Sequence, residues 1–135
     1  MKMDNNTVRP LETAYVQGIG KRPEQQDSFR FSVAADYREN GFTAILCDGM
    51  GGMAAGARIS KMAADGLYDI MSGKTEPTVE NRGMTLTASQ RIAGEVISLS
   101  NKIYRQFYGR GGTTLVMTYI VCGKLFFWCV GDIDL

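Results

Sequence analysis

Histidine is absent from the 135 residues, and that gap removes Ser-His-Asp triads, His-ligated zinc and histidine general acids together. Chemistry in this chain has to run on carboxylates, arginine and backbone groups. Cysteine is sparse at three residues, odd in number and without a CxxC spacing, so neither a disulfide framework nor a thiolate metal site is encoded. Cys47, Cys122 and Cys129 read as reduced thiols packing as small apolar groups. Neither sign of charge dominates: 15 Lys+Arg against 14 Asp+Glu give +1, so no global field draws the chain to nucleic acid or to an anionic membrane, and an acidic ligand has to be held locally. Long apolar runs are missing too. The longest, Leu115 to Val130, is broken by Gly123 and Lys124 and falls short of the roughly 18 uninterrupted residues of a spanning helix. The opening MKMDNNTVRP is polar, with no apolar core behind its lysine, which predicts a cytoplasmic protein without a secretory signal.

What is present suffices for one domain. The length fits a single folding unit, and 44% hydrophobic residues with 10% aromatics can fill its core, which excludes disorder and collagen-like structure. Ala14 to Gly20 and Ser28 to Ala35 read as two strands, the second alternating Phe29, Phe31 and Val33 with Ser28, Arg30 and Ser32. After a turn-rich Asp36 to Gly41, Phe42 to Cys47 is a short strand apolar on both sides. From Ala54 the period becomes helical, with Ile59, Met62, Ala63, Gly66, Leu67 and Ile70 on one stripe and Gly73 as its stop. Thr87-Ala88-Ser89-Gln90 is a capping box that opens a second helix along Ile92, Val96, Leu99, Ile103 and Phe107. Thr113 to Val121 and Leu125 to Val130, apolar on both faces, complete the order as two strands joined by a type II′ turn at Gly123-Lys124. The expected order is β-β-β-α-α-β-β, with the two helices as antiparallel neighbours and no internal repeat.

The loop Asp48-Gly49-Met50-Gly51-Gly52, between a buried strand and a helix, admits three readings. A dinucleotide fingerprint through Gly49, Gly51 and Ala54 would set Asp48 against a pyrophosphate of like charge, and a helix follows where a ribose-binding strand should. An EF-hand loop fails because Met50 and Gly52 fill liganding positions and no glutamate closes it. In the third reading Asp48 is a hard-cation ligand at a strand end, and the glycines let a backbone carbonyl face the same ion. Asp27 and Asp132, each at a strand edge, are the acids that could join it. Taken singly, these acids read more readily as ordinary turn residues.

Together, their order and spacing resemble the N-terminal half of a protein phosphatase 2C family enzyme, a metal-dependent serine/threonine phosphatase. Gly20-Lys21-Arg22, with Asp27-Ser28-Phe29 beginning five residues after Arg22, is similar to the first family motif, an arginine ahead of an acidic pair. Ala44-Ile45-Leu46-Cys47-Asp48-Gly49-Met50-Gly51-Gly52 with Gly56 is similar to the second and is the most specific of the set. Gly111-Gly112-Thr113-Thr114 and Trp128-Cys129-Val130-Gly131-Asp132 match the following pair in order, so the resemblance spans Tyr15 to Asp132.

The resemblance implies an α+β fold, a portion of a two-sheet antiparallel β-sandwich flanked by antiparallel helices, with residues 1–135 as a single, incomplete catalytic domain lacking its C-terminal half. It implies hydrolysis of phosphoserine and phosphothreonine in proteins at a binuclear Mg²⁺ or Mn²⁺ centre, within signal transduction opposite a cognate serine/threonine kinase. Asp48 would bridge the two ions and the Gly49 carbonyl would touch one of them. Asp27 would stand close to the metals, Arg22 would grip the substrate phosphate, and Asp132 matches an acid that holds a third ion in some relatives. Gln26 stands where many relatives have glutamate, and Met50 where animal members have histidine, so the likeness is closer to bacterial-type members. Ile133 and Asp134 also depart from the family pattern. The alternative reading is a catalytically inactive phosphoprotein-binding or regulatory domain of the same fold.

Overall fold

Phe29 and Phe31 alternate with Ser28 and Arg30, the period of a strand with unlike faces. In the computed structural model of the chain, which describes residues 12–21, 24–51, 53–75 and 87–131, they form strand β1 (Asp27–Phe31). The strand stops sooner than its pattern predicts. Ser32 still bonds to Thr43 through its backbone, but Ala34 and Ala35 favour helix and Asp36 suits the first turn of one. Helix α1 (Ala34–Asn40) therefore replaces the expected turn, and it ends at Gly41 with φ +82°. Residues 14–20 form no strand. They run as a strap over β1, with the Tyr15 ring 4.7 Å from Phe29 and 5.2 Å from Phe31.

Strand β2 (Phe42–Met50) continues through Asp48-Gly49, beyond the expected end at Cys47. Helix α2 (Met53–Met71) follows, and Gly73 stops it as expected, at φ +72° with the Lys74 N–H returning to the Asp69 carbonyl at 2.8 Å. Helix α3 (Ala88–Gln106) opens on the Thr87–Gln90 capping box, with both reciprocal bonds formed. Gly66 lets α3 approach α2, because a Cβ there would meet Leu99 at 3.2 Å. The last expected strands are present but divided differently: β3 (Gly112–Thr113), β4 (Leu115–Val121) and β5 (Lys124–Val130). Their hairpin turns at Cys122-Gly123, one residue earlier than predicted. Both residues have positive φ, 50° and 71°, the signature of a type I′ turn.

The five strands make one antiparallel sheet ordered β1-β2-β4-β5, with β3 paired to the end of β2. The pleat gives the sheet two unlike faces. Ile45, Cys47, Leu115 and Met117 point to the helices and form the core with Ile59, Ala63, Leu67 and Tyr68 of α2 and Ile103 of α3. On the opposite face the register aligns Phe29 with Leu46, Leu46 with Val116, and Thr118 with Phe127. Among the described residues no helix covers this face at Leu46, 53% exposed, or at Phe127, 49% exposed. The chain is thus α+β, with one sheet face buried and the other open.

Candidate functional site

Asp27 begins β1, Asp48 lies near the end of β2, and the antiparallel register sets them directly opposite each other. The Gly49 N–H donates to the Gln26 carbonyl at 3.1 Å, which makes Asp27–Asp48 a non-hydrogen-bonded pair. In such pairs the Cα atoms stand about 4.5 Å apart and the side chains leave the same face. That face is the open one, and Asp48 is exposed while its neighbours Cys47 and Gly49 are buried. Two hard oxygen donors thus share the end of the sheet, a donor set suited to Mg²⁺ or Mn²⁺ rather than to metals that select thiolate or imidazole.

The main chain around Asp48 is held from three sides. Its N–H donates to the Thr114 hydroxyl at 3.2 Å, and its carbonyl accepts from the Thr114 N–H at 2.9 Å. Gly49 and Met50 pair with Thr113 and Gly112. Beneath, the strand touches α2 backbone to backbone: a Cβ on Gly49 would lie 2.2 Å from the Gly56 carbonyl oxygen and 2.7 Å from the Gln26 carbonyl. Gly51, at φ +112°, would bring a Cβ to 2.4 Å from Gly111 Cα. The glycines of both motifs therefore serve close packing of strand, helix and β3. Because N–H and C=O of one strand residue share an edge, the Gly49 carbonyl faces the β1 side, where Asp27 stands.

Gln26 has a positioning role that the sequence did not disclose. Its carbonyl accepts from the Gly49 N–H and from the Ser60 hydroxyl, the latter at 2.5 Å, and its Oε1 lies beside Gly56 of α2. Ser28 and Ser60 share a further hydroxyl contact at 3.0 Å. The start of β1 is thereby fastened to α2, which fixes Asp27 laterally. Arg22 and Asp132 lie outside the described residues. Gly131, the neighbour of Asp132, is described and stands against Thr114, with its Cβ position 3.1 Å from Thr114 Cγ2. Three of the four sequence motifs thus meet at one end of the sheet, and the chain before Asp132 enters the same place.

A second polar cluster went unseen in the sequence. The Arg30 guanidinium lies 4.1 Å over the Tyr68 ring and pairs with Asp65 at 2.7 Å, while Lys61 holds the other Asp65 oxygen at 2.8 Å. The Tyr68 hydroxyl donates to Asp36, which also faces Lys74. Burial disfavours charge on Asp65, but Lys61 and Arg30 outweigh it and hold the carboxyl below its ordinary range. Asp36 is lowered, chiefly by the Tyr68 hydroxyl. Tyr68 is pushed up by burial and by Asp36. The cluster ties β1, α1 and α2 together and stands apart from Asp48. Cys47 is shut inside the core, where burial pushes its thiol up to about 12.

Among the described residues no three His, Cys, Asp or Glu side chains gather into a metal-holding group; Asp27 and Asp48 make a pair. No described helix is long and apolar enough to cross a membrane. No protein-family model matches the chain, and no curated protein matches it.

Proposed function

We propose that the chain carries the metal-binding and phosphate-binding portion of a protein serine/threonine phosphatase of the 2C type, and that its open sheet face packs against a second sheet to complete a sandwich. The observation that carries this reading is the opposition of Asp27 and Asp48 on an exposed face, at a sheet end assembled from three of the four motifs that suggested it. Asp48 and Asp27 are the residues that would hold the cations, and the Gly49 carbonyl faces the same edge. Thr114 fixes the Asp48 backbone, and Gln26 with Ser60 fixes that of Asp27, so neither acid depends on a mobile loop for its position. When bound, a pair of Mg²⁺ or Mn²⁺ ions supplies charge neutralisation on phosphoryl oxygens and activation of a water for in-line attack. Arg22 offers a planar fork of donors to the same phosphate, and Asp132 is the further acid of the set. Among these 135 residues no histidine is available to protonate the leaving hydroxyl. The substrates are phosphoserine and phosphothreonine proteins, and the counterpart is the kinase that phosphorylates them.

Mn²⁺ titration followed by the electron paramagnetic resonance of the free ion tests the site directly, beside phosphate release from a phosphothreonine peptide. In the complete enzyme, Asp48→Asn should remove Mn²⁺ binding and metal-dependent release while far-UV circular dichroism stays unchanged, since one charge is lost at constant volume. Unaltered Mn²⁺ binding in that variant would refute the reading. Binding of the phosphopeptide without hydrolysis in either protein would favour the inactive, phosphoprotein-binding alternative.

A further inference from the structure

We propose that the turn Tyr108–Arg110, which follows α3, is a substrate-recognition ledge beside Asp27 and Asp48, and that it selects phosphoproteins with acidic residues a few positions from the phosphorylated one. The inference rests on the phosphatase reading for what the site holds. Helix α2 leaves the sheet just after Asp48 and α3 returns antiparallel to it, with Gly66 against Leu99 and Arg58 over Phe107. The turn therefore arrives at the sheet end that carries the two acids. Gly111 locks it there: a Cβ on Gly111 would lie 3.1 Å from both Ile59 Cδ1 and the Met50 carbonyl oxygen. From Thr114, bonded to Asp48 in both directions, to Arg110 is no more than roughly 13 Å of chain. The turn belongs to the helix side of the sheet, opposite the face assigned above to a second sheet.

The fold does not account for two residues of the turn. Tyr108 follows the C-cap Phe107, at the position where a left-handed backbone makes glycine the usual choice. It stands at φ +54° and is 86% exposed, so the unfavourable conformation is not offset by burial. Arg110 is exposed and joins no ion pair among the described residues. The neighbouring cations have structural uses: Arg105 complements the C-terminal end of α3, and Arg58 stacks 5.1 Å over the Phe107 ring. Arg110, beyond the helix, does neither. The turn itself is fixed, with the Gly109 N–H donating to the Tyr104 carbonyl at 3.0 Å and the Arg110 N–H to the Phe107 carbonyl at 2.9 Å. Tyr108 offers an apolar ring to the main chain of an extended peptide, and Arg110 offers a fork of donors to a carboxylate. The surroundings favour an acidic partner, because residues 53–64 and 96–131 contain no Asp or Glu. At about 3.3 Å per residue, the span from Asp48 places that acid about four residues from the phosphorylated one.

Phosphothreonine peptides with glutamates, or with glutamines, about four residues before or after the phosphorylated residue test the ledge in the complete enzyme. Affinity is read by fluorescence anisotropy without divalent metal, and kcat/KM with Mn²⁺. One acidic peptide should be preferred to its glutamine counterpart by about two- to fivefold, the scale of one exposed ion pair. Arg110→Gln should bring that ratio to about one. Lys124→Gln, which removes the same charge at the far end of the β4–β5 hairpin, should leave the ratio as it is. Tyr108→Gly separates recognition from structure: the melting temperature should hold or rise, because glycine suits the left-handed position, while affinity for every peptide falls. Hydrolysis without an acidic preference, or a preference that survives Arg110→Gln, would overturn the ledge and leave the phosphatase reading standing. Peptide affinity untouched by Tyr108→Gly would overturn it as well. An Arg110-dependent preference in binding with no hydrolysis would support the ledge and count against the phosphatase reading, and peptides that neither bind nor react would count against both.

Discussion

Gly49→Ala is the substitution from which the most can be calculated. The added methyl carbon would sit 2.2 Å from the Gly56 carbonyl oxygen, 2.6 Å from its carbon and 2.7 Å from the Gln26 carbonyl oxygen. Close carbon–oxygen contacts in proteins lie near 3.3 Å, so β2 and α2 would have to separate by about 1 Å at this point. The opposing atoms are backbone on both sides, and no rotamer change can relieve the clash. The core beneath, Cys47 and Ile59, is buried and does not yield without losing contacts of its own. Overpacking of this kind costs about 1 to 3 kcal/mol where side chains can adjust, so a loss of about 3 kcal/mol or more is expected. Gly56→Ala is the matched control. Its Cβ would meet the Gln26 Oε1 atom at 2.8 Å, the movable end of a side chain, with the Met50 nitrogen next at 3.1 Å. Part of that cost is returned by the better helix propensity of alanine, about 1 kcal/mol. Urea unfolding of the two variants should therefore separate them by about 2 kcal/mol or more, with Gly49→Ala the weaker. Equal stabilities, or a Gly49→Ala variant within about 0.5 kcal/mol of the parent, would refute the backbone-contact argument.

Leu67→Ala, which empties a 2% exposed position in the core, should cost about 2 to 5 kcal/mol in the same unfolding assay. Thr87→Ala removes the reciprocal capping bonds of α3 and should cost about 1 kcal/mol. Thiol titration of the native protein should count two reactive cysteines, Cys122 and Cys129, with Cys47 reacting only on unfolding because it is buried and its thiol is pushed up to about 12. Asp36 and Asp65 are held below their ordinary value of 3.8, so the stability they lend is complete above that value and is lost as pH falls through their lower folded-state values. Melting temperature should accordingly drop on the acid side, and Arg30→Met, which removes the Arg30 contribution to the Asp65 pair, should shrink that drop.

Elements whose chemistry is local were legible in the sequence. The capping box at Thr87, the stop at Gly73 and the stripe Ile59, Ala63, Leu67 depend on neighbours three or four residues away, and each forms where its pattern places it. The strand expected over residues 28–35 ends at Phe31, because alternation cannot register that Ala34 and Ala35 prefer helix once the ladder bond of Ser32 has been made. Residues 14–20 carry Tyr15, Val16 and Ile19, which look strand-like, yet they find no ladder; Tyr15 is used to cover Phe29 and Phe31 instead. The turn slipped by one residue because Cys122 accepts a left-handed conformation that its residue type does not advertise. The Arg30, Asp65, Tyr68 and Asp36 cluster joins residues more than thirty positions apart, and no local pattern encodes it.

The candidate site owes its character to a parity that is easily lost. In β2 the burial alternates, with Ile45, Cys47 and Gly49 inward and Leu46, Asp48 and Met50 outward. A slip of one residue would send Asp48 into the apolar core against Ile59, where an isolated carboxylate is untenable, and would bring Cys47 to the surface. Three restraints oppose that slip: the Gly49 contact with Gly56, the Gly51 contact with Gly111, and the two hydrogen bonds between Asp48 and Thr114. Each fails if the register moves, because only glycine fits the first two and only the Thr114 hydroxyl meets the Asp48 N–H. The residues that look most like a ligand loop in the sequence are therefore mostly a register lock. Asp48 is the side chain that the lock presents to solvent, opposite an acid positioned in the same manner through Gln26 and Ser60. A sheet end whose glycines merely turned the chain would have no reason to align two carboxylates on its exposed face.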